Sequence, residues 1–193
     1  MDLKKLIDLR NFSLRKLNSI LILIVLLILI DHGGSSILYL LGLINHSPNF
    51  VIMGRRLFIV LSIHVIISLY LFLKDKIKQR KIRTIPEAKR SPRQEILTGI
   101  AIVVLVLLHV RNYSAAPVNG IYVFSILFNH YVVDNLLFIA IALHLRVAFP
   151  RLLMSFGFLT GKNDFKKAQR TINILLCILF IIGILAETIF YIL

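Results

Sequence analysis

The chain has no tryptophan, a single cysteine, and only 9 acidic residues against 23 basic ones. Without tryptophan, anchoring at the membrane–water boundary falls to tyrosine, with Tyr39, Tyr113, Tyr122, Tyr131 and Tyr191 near the ends of apolar runs. With Cys177 alone, no intrachain disulfide forms, and zinc or iron–sulfur sites built from several cysteines are excluded. Cys177 lies inside an apolar run and reads as a small buried apolar residue. The shortage of acids leaves a net charge of +14. Such a balance can mark a nucleic-acid binder. Here the basic residues lie between apolar runs, which is the pattern of membrane topology signals, so nucleic acid is not an expected partner.

What the chain has in excess is apolar sequence. It is 58% hydrophobic with a mean hydropathy of +0.86, where soluble domains sit at about 45–50% apolar. The apolar residues come in long runs rather than at one-face spacing, as membrane spans do. The sequence predicts one all-α polytopic domain over 1–193, a bundle of five transmembrane helices at about 17–44, 57–73, 95–112, 131–157 and 171–193. In the first, the apolar pattern is interrupted at His32, Gly33, Gly34, Ser35 and Ser36. Either one helix runs to about residue 44 or a kink falls at the glycines. Lys4, Lys5, Arg10, Arg15 and Lys16 precede this run with no small-residue cleavage site after it, so it reads as an uncleaved span behind a basic, surface-lying arm. A short interfacial helix is expected at 121–128, a kink at Pro150, and a basic loop at 160–170.

The short loops set the orientation. The arm, the segment 74–93 (Lys74, Lys76, Lys78, Arg80, Lys81, Arg83, Lys89, Arg90, Arg93) and Lys162, Lys166, Lys167 and Arg170 fall on one side. The other side holds only Arg55, Arg56 and Arg111. The positive-inside rule then places the N-terminus in the cytoplasm and the C-terminus outside a cytoplasmic (inner) membrane.

Four of the five spans carry a histidine: His32, His64, His109 and His144. An ionisable side chain in lipid is expensive and usually faces the bundle interior at a functional site. At 1.5 Å per residue, His32 and His109 both lie about 24 Å from the inner edge, counted from Lys16 and Arg93. His64 lies roughly 13 Å from the outer edge, counted from Arg55, and His144 roughly 15 Å, counted from Asp134. Four imidazoles therefore sort into an outer pair and a deeper pair. Two imidazoles at one depth suit the axial positions of a six-coordinate haem iron, which passes electrons and has no open site for oxygen. Gly33 and Gly99 are expected to let a flat macrocycle approach the backbone. The competing reading is a haem-free transporter or assembly protein whose histidines serve as interhelical hydrogen-bonding groups. Zinc transport fits less well, since only Asp31 adjoins one of these histidines.

Among the remaining polar residues, His46 and His130 read as solvated loop histidines. Asp31, Asp134 and Glu187 sit at or inside span ends, where each either serves a quinone headgroup or proton path or lies at the membrane interface, the latter expected for Asp134. Arg146 and Arg151 are expected to snorkel towards the cytoplasmic surface. The sharper alternative for Arg146, two residues past His144, is contact with a haem propionate.

Taken in order, the residues resemble the di-haem cytochrome b anchor of succinate dehydrogenases and quinol:fumarate reductases. Arg15, Lys16, Leu17 and Ser19 with His32 resemble that family's first helix, and 57–74 with His64 its second. Thr98-Gly99 followed by His109 resembles the third, His144 with Gly157 the fourth, and Gln169-Arg170 the lead-in to the fifth. The likeness covers nearly the whole chain, from Arg15 to the fifth span.

The resemblance implies two haems b, an outer one between His32 and His109 and an inner one between His64 and His144. It also implies an iron–sulfur subunit and an FAD-containing catalytic subunit docked on the cytoplasmic face, and a menaquinone-type quinone in the bilayer. Succinate or fumarate chemistry would then belong to the partners, this chain being the electron-transfer subunit. Two departures stand out. Asn18 occupies a position where some members have a further histidine. Ala142 replaces a proton-transferring glutamate that some fumarate reductases carry two residues before the fourth histidine. The quinone site has no motif to carry over, and Asp31, beside the outer haem ligand, is the candidate. The anchor of a hydrogenase or formate dehydrogenase is the nearest alternative.

Overall fold

The structure, a computed structural model, describes residues 13–77, 92–113, 124–159 and 161–192. Among these residues all regular structure is helical. Five helices follow in order: α1 (Leu14–Leu40), α2 (Asn49–Ile77), α3 (Pro92–Tyr113), α4 (Phe124–Ser155) and α5 (Lys162–Ile192). The shortest has 22 residues and the longest 32, so at 1.5 Å per residue they measure about 33 to 48 Å against a hydrocarbon core about 30 Å thick. Each is long and apolar enough to cross a membrane. The expected residues 1–12 of the arm, 78–91 of the basic segment and 114–123 of the outer loop lie outside the described residues.

The side chains follow the logic of a bilayer rather than of water. Leu27, Ile30 and Ile66 are 68%, 70% and 68% exposed, while several of the buried positions are polar or charged: His130, Asp134, Arg151 and Glu187. Lipid solvates leucine and isoleucine, so it is the polar groups that are driven to find partners inside. Cys177 follows the same rule from the other side. It is exposed on α5, not buried, because in lipid a small apolar side chain has no reason to turn inward.

The chain forms two compact units, α1 with α2 and α3 with α4 and α5. In the second unit α4 packs against both α3 and α5. Small residues make the α4–α5 approach close: Ala140 and Ala186 are buried, and the Phe138 ring lies where a Cβ on Gly183 would come within 3.4 Å of it. Arg151 of α4 is buried at 8% exposure and its Nη1 pairs with the Glu95 carboxylate of α3. Removing only the guanidinium strands that carboxylate. Arg151→Met is therefore expected to lower stability by about 1–3 kcal/mol, and Arg151→Met with Glu95→Gln by less; thermal unfolding in detergent measures both.

The helix ends differ from the sequence expectation for identifiable reasons. α1 runs unbroken through Gly33 and Gly34 and stops at Leu40, short of residue 44, with Gly42 at φ +71° just beyond it. The hydroxyl of Ser13 accepts the Lys16 N–H and caps its start. α2 starts at Asn49, ahead of Arg55 and Arg56, because Ser47 accepts the Asn49 and Phe50 N–H groups. α4 absorbs residues 124–128, expected as a separate interfacial helix, and continues through the buried Pro150 to Ser155. It closes in a Schellman turn: Phe158 N–H donates to Leu153 O and Gly157 N–H to Met154 O, with Gly157 at φ +79°. The segment 162–170 is not a loop but the first turns of α5. Lysine, alanine, glutamine and arginine favour helix, and Asp164 complements its N-terminal dipole.

Candidate functional site

Each of the four membrane histidines has neighbours in its own unit. In the α1–α2 unit, His64 Nδ1 lies 2.9 Å from Asn18 Oδ1. Asn18 Nδ2 donates to Ser68 Oγ at 3.1 Å, and the Ser68 hydroxyl returns to Asn18 Oδ1 at 3.3 Å. With its amide nitrogen used on Ser68, Asn18 offers an oxygen to the ring, so His64 donates from Nδ1 and carries its lone pair on Nε2. His32 lies against Gly54: a Cβ on that glycine would stand 3.3 Å from His32 Cε1. The Ser36 hydroxyl bonds the His32 carbonyl at 2.7 Å.

The α3–α5 unit repeats the pattern. His144 Nδ1 lies 3.1 Å from Thr98 Oγ1, and the Thr98 hydroxyl already donates to Gln94 O at 2.7 Å. Thr98 therefore accepts from His144, which again leaves the lone pair on Nε2. The same imidazole lies over Gly99, where a Cβ would meet Cε1 at 3.6 Å. His109 Nδ1 lies 2.7 Å from Asp134 Oδ1, a charge-assisted contact in which the ring donates. The Tyr113 hydroxyl donates to the other carboxylate oxygen at 3.1 Å, and the His109 and Tyr113 rings are 4.7 Å apart.

These contacts place two histidine levels in each unit. His32 sits beside Gly54 and His64 ten residues further along α2, about 15 Å away by helix rise. His109 sits beside Asp134 and His144 ten residues further along α4, again about 15 Å. Gly99 does approach a ring closely, but the ring is the His144 imidazole; among the described residues nothing lies within 4 Å of a Cβ on Gly33.

Around Asp134 the second unit gathers polar groups that the sequence scattered to its edges. Asp134 is 5% exposed rather than interfacial. His130, expected in a solvated loop, is also 5% exposed, because α4 begins before it and folds it against Tyr113 (4.5 Å between rings) and Tyr191 (6.1 Å, stacked). Glu187 is 2% exposed and its Oε2 has no hydrogen-bond partner among the described residues. The Tyr113 and Tyr191 hydroxyls are 3.4 Å apart. His46 does lie exposed, edge-on to Tyr39 and Phe50. Arg146 is exposed, whereas Arg151, expected to snorkel, is buried on Glu95. Five residues are about 140° of helix, so the two arginines occupy different faces.

Asp31 is exposed and lines a cavity of about 220 Å³ in the first unit with His32, Ser35, Ser47, Asn49, Phe50 and Met53. Among the described residues, no three histidine, cysteine, aspartate or glutamate side chains converge as a metal site of their own. No family model matches the chain, and no curated protein or solved structure matches it either.

Proposed function

We propose that the chain is the membrane-anchor cytochrome b subunit of a succinate:quinone oxidoreductase, a succinate dehydrogenase or fumarate reductase. In this reading it carries electrons between a cytoplasmic iron–sulfur subunit, itself served by an FAD-containing subunit, and a menaquinone-type quinone in the cytoplasmic membrane. His32 with His109 hold the outer haem b and His64 with His144 the inner one. The N-terminus lies in the cytoplasm and the C-terminus outside.

One observation carries the reading. Three of the four histidines have Nδ1 engaged by a side-chain acceptor, Asn18, Thr98 or Asp134. That arrangement fixes the tautomer and ring orientation and leaves Nε2 as the coordinating nitrogen, as the outer partners of metal-bound histidines do. Histidines acting only as glue between helices have no need of a common tautomer. The ten-residue spacing of two levels within each unit is a second support. Bound haem supplies one-electron chemistry. The chain's own part is to hold the axial nitrogens, set their basicity and keep the surroundings apolar.

The cavity at Asp31 suits the planar headgroup of a quinone, with carboxylate, hydroxyl and amide groups at its rim and Phe50 and Met53 for the ring. Arg146, exposed beside the inner level, stays a candidate for a propionate.

Purification in mild detergent from native membranes tests the assignment. An iron–sulfur protein and a flavoprotein are expected to accompany the chain. A nickel or molybdenum protein in their place moves it to a different respiratory complex.

A further inference from the structure

The three defined imidazole partners are not equivalent. Asn18 and Thr98 offer neutral oxygens to His64 and His144, whereas His109 donates to a carboxylate, at the shortest of the three distances, 2.7 Å. Asp134 is 5% exposed and on a different helix from His109. Its second oxygen takes the Tyr113 hydroxyl, so the carboxylate is held from both sides. An aspartate whose only task was to satisfy one ring N–H would not need to be buried, since an amide or hydroxyl does the same for the other two histidines.

We propose that Asp134 is a positioning residue for the outer haem: it orients His109 through the Nδ1–H bond and makes that imidazole more electron-donating than His64 or His144. The inference rests on the haem reading of His109. A carboxylate partner shifts electron density onto the ring and raises ligand basicity. A more basic axial ligand favours the oxidised iron, so the haem held by His109 has a lower midpoint potential than it would with a neutral partner. Tyr113 tempers the effect by drawing on the other carboxylate oxygen.

The test is a potentiometric titration of the purified chain, followed by its visible bands, for the unsubstituted protein and for Asp134→Asn, Asp134→Ala and Tyr113→Phe. Asp134→Asn keeps an oxygen acceptor and removes the charge. It is expected to retain both haems and raise one midpoint potential, the one assigned to His109 by its loss in His109→Ala, while the other stays in place. Tyr113→Phe is expected to lower that same potential, and Asp134→Ala to lose or broaden that component while leaving its neighbour intact. Two haems whose potentials ignore Asp134→Asn and Tyr113→Phe overturn the proposal and leave the cytochrome reading standing. An unsubstituted chain without haem overturns both.

Discussion

His64→Ala and His109→Ala are each expected to abolish a different component of the reduced-minus-oxidised haem b spectrum and each to reduce haem content by about half. The two residues sit in different units, one held by Asn18 and the other by Asp134, and each serves a different haem in the proposed pairing. In that pairing, loss of one histidine would remove one of the two residues that hold the haem and so weaken its retention. His32→Ala should reproduce the His109→Ala spectrum and His144→Ala that of His64→Ala, because in the proposed pairing each pair shares one haem. His46→Ala serves as the control, since His46 is an exposed loop histidine against Tyr39 and Phe50; it should leave both components unchanged. If all four membrane variants lose the same component, the paired assignment is wrong.

The second large effect comes from a residue that ligates nothing. Gly99→Leu should remove the same component as His64→Ala. A Cβ at Gly99 stands 3.6 Å from His144 Cε1, ordinary van der Waals contact, so Gly99→Ala fits and should leave the spectrum intact. Leucine extends the side chain into the space the imidazole occupies. The Nδ1 edge that bonds Thr98 lies 3.8 Å from that same Cβ, so the ring has to abandon either that bond or its place. Overpacking of this kind typically costs about 1–3 kcal/mol, which a long helix survives. The chain should therefore still insert and keep the outer component, so the comparison separates a displaced ligand from a misfolded protein.

The five spans were legible because a bilayer leaves few options: about 20 apolar residues must be helical. Their ends were not. The start of α5 at Lys162 rather than Thr171, and of α2 at Asn49 rather than Leu57, depend on capping and helix propensity in residues that extend beyond the apolar core. Charges near a span were read as boundaries, yet a helix does not stop where the lipid does.

Among site residues, the four histidines stood out as polar atoms in apolar runs, but the groups that hold them did not. In the sequence Asn18 marks only a place where a histidine is missing; in the structure it is the acceptor for His64. Thr98 entered only beside Gly99. Asp134 looked like an end-of-span acid, although its spacing of four from His130 puts both on one helix face, the one visible hint that the two are turned inward together. Arg146 and Arg151 were indistinguishable without knowing which face of α4 packs on α3. Such choices depend on rotational setting about each helix axis, which a nearly uniform apolar run does not encode.

Haem content tests the central claim most directly. A reduced-minus-oxidised spectrum with pyridine-haem quantification of the purified, unsubstituted chain, expressed in haem-replete membranes, should give about two haems b per chain, low-spin and six-coordinate. A chain that inserts and purifies without haem contradicts the account, and its four histidines then serve only to join one helix to the next.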